Sequence, residues 1–195
     1  HNLESIQTNN YNSSNAKHKL LLEVCMAAKY EGELLKGYHG QHQQTNKDSA
    51  AELCTVLARS FADIGDIVRG KDLFLGNDKE NKQRKKLDDK LKEIFGKIHD
   101  DVTKEKRSRY NGDKNNNFLK LREDWWTANR ETVWKAITCD AGSGKYFRPT
   151  CGGEKNPSLT SKQCRCTKTS GANADQVPTY FDYVPQYLRW FEEWA

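Results

Sequence analysis

Phe118 to Thr138 reads FLKLREDWWTANRETVWKAIT, and this stretch decides the fold class. It holds neither glycine nor proline, and its apolar residues Leu121, Trp125, Trp126, Val133, Trp134 and Ile137 recur at three- and four-residue spacing. They occupy more than one side of a helix, so the stretch predicts a long, central, buried helix rather than a surface one. Trp125 and Trp126 are neighbours and differ by about 100° around the axis. They cannot both face one flat ligand, so packing is the expected role of at least one.

Three more helices are expected around it. Asp78 to His99 carries Leu87, Leu91, Ile94 and Ile98 as one apolar stripe. Ala16 to Lys36 places Leu20, Leu21, Val24, Ala28 and Leu35 at helical spacing, with Gly37 and Gly40 expected to stop it. A further helix begins at Ser49-Ala50-Ala51-Glu52, which has the form of a capping box, and carries Leu53, Val56, Leu57 and Phe61. Gly65 and Gly70 suggest a bend at its end. A last helix is expected from Val184, with Pro185 suited to a first turn and Tyr187, Leu188, Phe191 and Trp194 on one face.

Arg107 to Asn117 reads as a loop, and residues 140 to 179 form a long polar stretch that needs pinning. The expectation is therefore an all-α, disulfide-stapled helical bundle with long loops, preceded by an extended lead-in over residues 1–15. Residues 16–195 form one helical domain. Asn12-Ser13-Ser14 is a glycosylation sequon.

The 195 residues suffice for one domain, but the apolar fraction is only 35% and the mean hydropathy is −0.96. No run of apolar residues is long enough to span a bilayer, so no membrane insertion is expected. The net charge is +5 and is localised. From Lys79 to Arg109 there are 12 Lys and Arg against 7 Asp and Glu, leaving 20 of each elsewhere. Lys79, Lys82, Lys86, Lys90 and Lys97 fall on one helical face, with Glu93 among them. Lys104, Lys106, Arg107 and Arg109 extend the patch. Such a stretch is either a solvated surface or a binding face for an anionic partner. Lysine offers a point charge without fixed bidentate geometry, which suits a heterogeneous sulfated glycan.

Catalytic chemistry finds no constellation. Ala141-Gly142-Ser143-Gly144-Lys145 hints at a phosphate loop, but Cys139 stands where the first glycine belongs and Tyr146 where Ser or Thr does. Asp88-Asp89, Asp100-Asp101 and Glu192-Glu193 each lie beside basic residues and read as ion pairs. His39 and His42 have no nucleophile signature near them, and Cys25 lacks an activating base in the sequence. No enzyme activity and no cofactor are expected. The six cysteines, at 25, 54, 139, 151, 164 and 166, are an even count and suggest disulfides, which can pair in fifteen ways. Cys164-Arg165-Cys166 has one intervening residue, too few for a zinc knuckle, so no metal site is expected.

Two blocks carry a family resemblance: Ala58-Arg59-Ser60-Phe61-Ala62-Asp63-Ile64-Gly65-Asp66-Ile67-Val68-Arg69-Gly70, and Asp182-Tyr183-Val184-Pro185-Gln186-Tyr187-Leu188-Arg189-Trp190-Phe191-Glu192-Glu193-Trp194. They resemble the ends of the tag region of alpha-class Duffy-binding-like domains, in the erythrocyte membrane protein 1 adhesins of the malaria parasite. Val24 to Gly32, Leu121 to Trp126 and Trp134 to Cys139 resemble that family too, in the right order.

The resemblance implies a receptor-binding module on the extracellular face of the infected erythrocyte, antigenically variable and linked to rosetting. Its implied partners are a host cell-surface receptor or a sulfated glycosaminoglycan of heparan sulfate type, neighbouring domains of the same adhesin, and host antibodies. Nucleic acid is not among them. The chain would be a piece of a longer, membrane-anchored protein, corresponding mainly to the middle helical subdomain. Under the resemblance, oxidation staples helices together, and the expected pairs are Cys25 with Cys139, Cys54 with Cys166, and Cys151 with Cys164. Four cysteines between Asp63 and Trp194 look like the common subgroup, whose adhesion often resides in an adjacent cysteine-rich region. That makes a structural head-piece the alternative role.

Overall fold

The computed structural model describes residues 3, 6, 8, 11–45, 53–73, 76–102, 104–142, 148–152, 157–167 and 176–189. Five α-helices appear among them: α1 Ala16–Thr45, α2 Leu53–Arg69, α3 Asp78–Asp101, α4 Lys104–Arg107 and α5 Leu119–Ile137. Short 3-10 turns cover Ser108–Tyr110, Asp113–Asn116, Phe181–Tyr183 and Gln186–Leu188. The β structure with an identified partner among the described residues is an isolated antiparallel bridge between Cys151 and Ser158. The fold is all-α, as its periodicity predicts.

The chain divides into two compact units, residues 1–27 with 65–129, and residues 28–64 with 130–195. In the first unit, Leu87, Leu91, Ile94, Phe95 and Ile98 of α3 are buried, as are Leu121, Trp125 and Trp126 of α5. Phe95 and Trp125 meet edge to face with ring centroids 6.1 Å apart, a geometry that contributes about 0.5–1.5 kcal/mol beyond area burial. Leu3, Ile6 and Tyr11 of the N-terminal segment are buried as well. In the second unit, Phe61 of α2 and Trp134 of α5 make a T-shaped contact at 5.2 Å. Asp182, fully buried, receives two hydrogen bonds from Arg130 at 2.8 and 2.7 Å, which satisfies a carboxylate that could not otherwise leave water.

Several expected boundaries move. Helix α1 runs through Gly37 and Gly40 to Thr45. A glycine costs a helix about 1 kcal/mol but removes no hydrogen bond, so propagation continues. The Ser49 capping box lies outside the described residues. The bend expected near Gly65 is absent, and α2 continues to Arg69. Gly65 is small for a packing reason: a Cβ there would sit 2.8 Å from the Trp126 indole. Gly70 ends the helix with φ +72°, the left-handed conformation that favours glycine.

The helix expected from Val184 is replaced, through residue 189, by one 3-10 turn, Gln186–Leu188, which follows another at Phe181–Tyr183. Pro185 is extended (φ −52°, ψ 139°). The buried Arg189 donates from Nε to the carbonyls of Phe181 (3.0 Å) and Val184 (3.2 Å), and from Nη1 to Asp63 (2.7 Å). Its side chain takes the Val184 carbonyl, which a regular helix would have paired with Leu188 N. Phe191 and Trp194 lie outside the described residues.

The cysteine scheme is corrected. Cys54 pairs with Cys164 and Cys151 with Cys166, while Cys25 and Cys139 are free thiols. Gln163 and Cys164 both adopt positive φ, 58° and 52°. The chain reverses there, and residues 164 and 166 part to different partners. The Cys164 carbonyl accepts from Trp134 Nε1 at 3.2 Å, and Cys151 is held by backbone hydrogen bonds to Ser158 at 3.0 and 2.7 Å. Two disulfides therefore pin the long polar stretch within the second unit.

Candidate functional site: the basic face of α3

Helix α3 starts at a reciprocal cap. Asn77 Oδ1 accepts from the backbone of Lys79 (3.1 Å) and Glu80 (3.0 Å), and Glu80 Oε2 accepts from the Asn77 backbone (3.0 Å). This is the capping box, with Asn in place of Ser or Thr, and it satisfies donors that a helix start leaves open. The Asn77…Glu80 spacing was available in the sequence as the signal for this boundary. The apolar stripe from Leu87 to Ile98 then fixes which way the helix turns its lysines.

Lys79, Lys82 and Lys86 are exposed, and their ammonium groups make no hydrogen bond or ion pair among the described residues. Lys85, on an adjacent strip, is exposed and equally unengaged. From Lys79 to Lys86 the helix rises about 10 Å, so four ammonium groups crowd two turns. Glu80 is turned to the cap. Lys90 is half-buried.

Farther along the same face the cations are committed. Lys97 donates to Glu93 (2.9 Å) and to the Thr8 carbonyl (3.2 Å). The hydrogen bond from Lys97 is the largest reason the Glu93 carboxyl sits below its ordinary range. Arg107 caps the end of α3, donating to the carbonyls of Asp100 and Val102, each at 3.1 Å. Arg109 forms a two-point pair with Asp124 at 2.7 and 2.9 Å, joined by the Tyr110 hydroxyl at 2.9 Å. That pair holds the Arg109 guanidinium above, and the Asp124 carboxyl below, their usual values. Lys106 is exposed, and the Lys104 side chain lies outside the described residues. Of the nine candidate residues, Lys79, Lys82 and Lys86 form a free group on the N-terminal half of α3, and Lys97, Arg107 and Arg109 a structural group.

Among the described residues, no group of three His, Cys, Asp or Glu is placed to hold a metal ion. No described helix is long and apolar enough to cross a membrane.

The sequence profile of the Duffy binding domain matches residues 1–189. The chain belongs to the Duffy binding domain family. Solved structures similar to this Duffy binding domain include two PfEMP1 domains. One is the DBLbeta domain of the PfEMP1 variant IT4var13 bound to ICAM-1, with 32% identity, a TM-score of 0.67 and coverage of 99% of this chain. The other is the DBLb domain of a second PfEMP1 bound to human ICAM-1, with 32% identity, a TM-score of 0.57 and 91% coverage. This Duffy binding domain spans 41% and 32% of those two chains. No curated protein matches it. Both similar structures are of the beta class, not the alpha class that the tag-like blocks resemble.

Proposed function

We propose that this Duffy binding domain is an adhesion module of alpha class that binds a sulfated glycan of heparan sulfate type through the N-terminal half of α3. The observation that carries the reading is the set of lysines at 79, 82 and 86, exposed and without acidic partners among the described residues. Their spacing presents positive charge in steps of roughly 4.5–6 Å along a rod, and a sulfated polysaccharide carries negative charge along another. In this reading the domain stands on the extracellular face of the infected erythrocyte, beside other domains of a variable, antibody-exposed adhesin, and contributes to rosetting and virulence.

The test is heparin binding by the oxidised chain over a salt series, with Lys79→Glu, Lys82→Glu and Lys86→Glu combined. Saturable binding that weakens steeply with ionic strength, and is lost in the folded triple variant, supports the reading. Unchanged retention in the variant rejects the α3 face.

A protein receptor is the second reading, favoured because both similar structures are complexes with ICAM-1. Absence of heparin binding by the folded chain turns the search to such a receptor, or to a head-piece role supporting a neighbouring domain.

A further inference from the structure

We propose that the cleft between the end of α2 and α3 is a subsite for an acetamido sugar, next to the lysines assigned to the sulfates. The assignment deepens the glycan reading above and rests on it for the chain that brings the sugar there. The cleft lies within the first unit and holds about 210 Å³. Its floor is apolar: Ile67, Leu87 and Leu91 line it and are all buried. Four charged side chains complete the lining, Asp72, Arg84, Lys85 and Asp88.

Charge decides what such a cleft takes. Two of the four groups are basic and two acidic, so their formal charges cancel. Arg84 meets Asp72 at 3.2 Å, and Asp88 meets Lys92 at 2.7 Å and Arg122 at 2.9 Å. The cleft therefore differs from the face of Lys79, Lys82 and Lys86. A sulfate entering it would leave water for a site with an apolar floor and two carboxylates, which is costly. A neutral group is favoured, apolar at one end and carrying both a donor and an acceptor at the other.

An acetamido group has that composition. Its methyl packs on the apolar floor. Its N–H donates to Asp88, whose two oxygens each keep a second lone pair beyond the bonds to Arg122 and Lys92. Its carbonyl accepts from Lys85, which is exposed and otherwise unengaged among the described residues. A cavity of about 150 Å³ holds a benzene ring, so this one takes an acetamido group with part of the pyranose that carries it. Lys82, Lys85 and Asp88 form a row along α3, each step rising about 4.5 Å and turning about 60°. The row leads from the lysine face to the cleft in about 9 Å, so one partly acetylated, partly sulfated chain can meet both.

The experiment is a methyl NMR titration of the folded, oxidised chain with the methyl glycoside of N-acetylglucosamine, an uncharged probe. The methyl glycosides of glucose and of N-sulfoglucosamine are the comparisons. Saturable shifts at the methyls of Ile67, Leu87 and Leu91 are expected with the acetylated sugar and with neither of the others. Lys85→Ala removes an exposed side chain and should weaken the binding about tenfold, the loss of one charge-assisted hydrogen bond. The combined Lys79→Glu, Lys82→Glu and Lys86→Glu variant should leave it unchanged, so the cleft and the lysine face fail separately. A chain that binds heparin but shows no shift with the acetylated sugar overturns the cleft and leaves the lysine face standing. A chain that shifts with the sugar but ignores heparin keeps the cleft and rejects the lysine face. Equal shifts with glucose or N-sulfoglucosamine, or undiminished binding in Lys85→Ala, would also overturn the proposal.

Discussion

Arg122 reaches from α5 to the last turn of α2 and donates from Nε to the Val68 carbonyl at 2.6 Å. Its Nη2 takes the Ile67 carbonyl at 3.0 Å, and its Nη1 meets Asp88 of α3 at 2.9 Å. One buried guanidinium thereby joins α5, α3 and the last turn of α2 within the first unit and satisfies carbonyls that a helix end leaves open. Its carboxylate partner answers to the same contact. Burial alone would raise the Asp88 pKa, but hydrogen bonds and charge from Lys92 and Arg122 outweigh it and hold the carboxyl below its usual range. Arg122→Ala should cost about 1–3 kcal/mol, because the two helix-end carbonyls lose their buried donor, whereas Asp88, 38% exposed, keeps Lys92 at 2.7 Å. Arg122→Lys should recover little of it, since an ammonium cannot reproduce the fork. Urea unfolding followed by far-UV circular dichroism measures both.

Gly70 tests the same junction from the other side. A Cβ there would lie 2.9 Å from the Arg122 guanidinium carbon, and φ is already +72°. Gly70→Ala should destabilise by more than the roughly 1 kcal/mol expected for backbone strain alone. Gly37→Ala is the control: nothing lies within 4 Å of its Cβ and the helix is regular there. It should stabilise by up to about 1 kcal/mol.

The free thiols give a chemical prediction. Burial pushes the Cys25 thiol up to about 11, and the Cys139 thiol is raised as well, first by burial and then by its contact with Asp140. At pH 8 the Cys25 thiolate is on the order of one part in a thousand. Native protein should alkylate slowly at that residue, with a rate rising about tenfold per pH unit. Denatured, nonreduced protein should release two titratable thiols. Finding none would restore a Cys25–Cys139 bond.

The disulfides differ in the loops they close, with sequence separations of 110 and 15. Replacing Cys54 and Cys164 by serine should cost about 1–2 kcal/mol more than replacing Cys151 and Cys166, because the longer loop regains more chain entropy. Paired denaturation curves of the two double variants decide the order.

Acid should weaken the first unit. Asp88, Glu123 and Asp124 all have carboxyl groups held below their ordinary range. In Glu123, burial pushes upward, but Lys71 and Arg69 prevail. A depressed folded-state value means that the stability is present above the unfolded value, about 4, and is lost as pH falls through the folded one. Urea midpoints should therefore hold steady from pH 7 to about 5 and decline below about 4. Asp88→Asn should flatten that decline. A profile that rises toward low pH would contradict the assignment.

The site was partly legible. Periodicity placed the lysines of α3 on one face, because a 3.6-residue repeat needs only the sequence to compute. It could not show that Lys97 is tied to Thr8, 89 residues earlier, or Arg109 to Asp124. Those pairings depend on which segments meet, and a lysine that will be free looks the same in sequence as one that will be spent. Asn77 with Glu80 was a local signal and could have been read; the capping box invoked instead was at Ser49.

Helix identity, the buried character of the 118–138 stretch and the absence of a catalytic pattern were set by the sequence, because each rests on spacing within a few turns of one chain segment. The disulfide partners, the 3-10 path to Arg189 and the free or committed state of each cation were decided by tertiary structure. A cysteine selects the sulfur that the backbone brings within bonding range, and Arg189 selects the carbonyls within its reach. Those positions follow from the packing within each unit, a property of all its contacts together rather than of any one stretch of sequence.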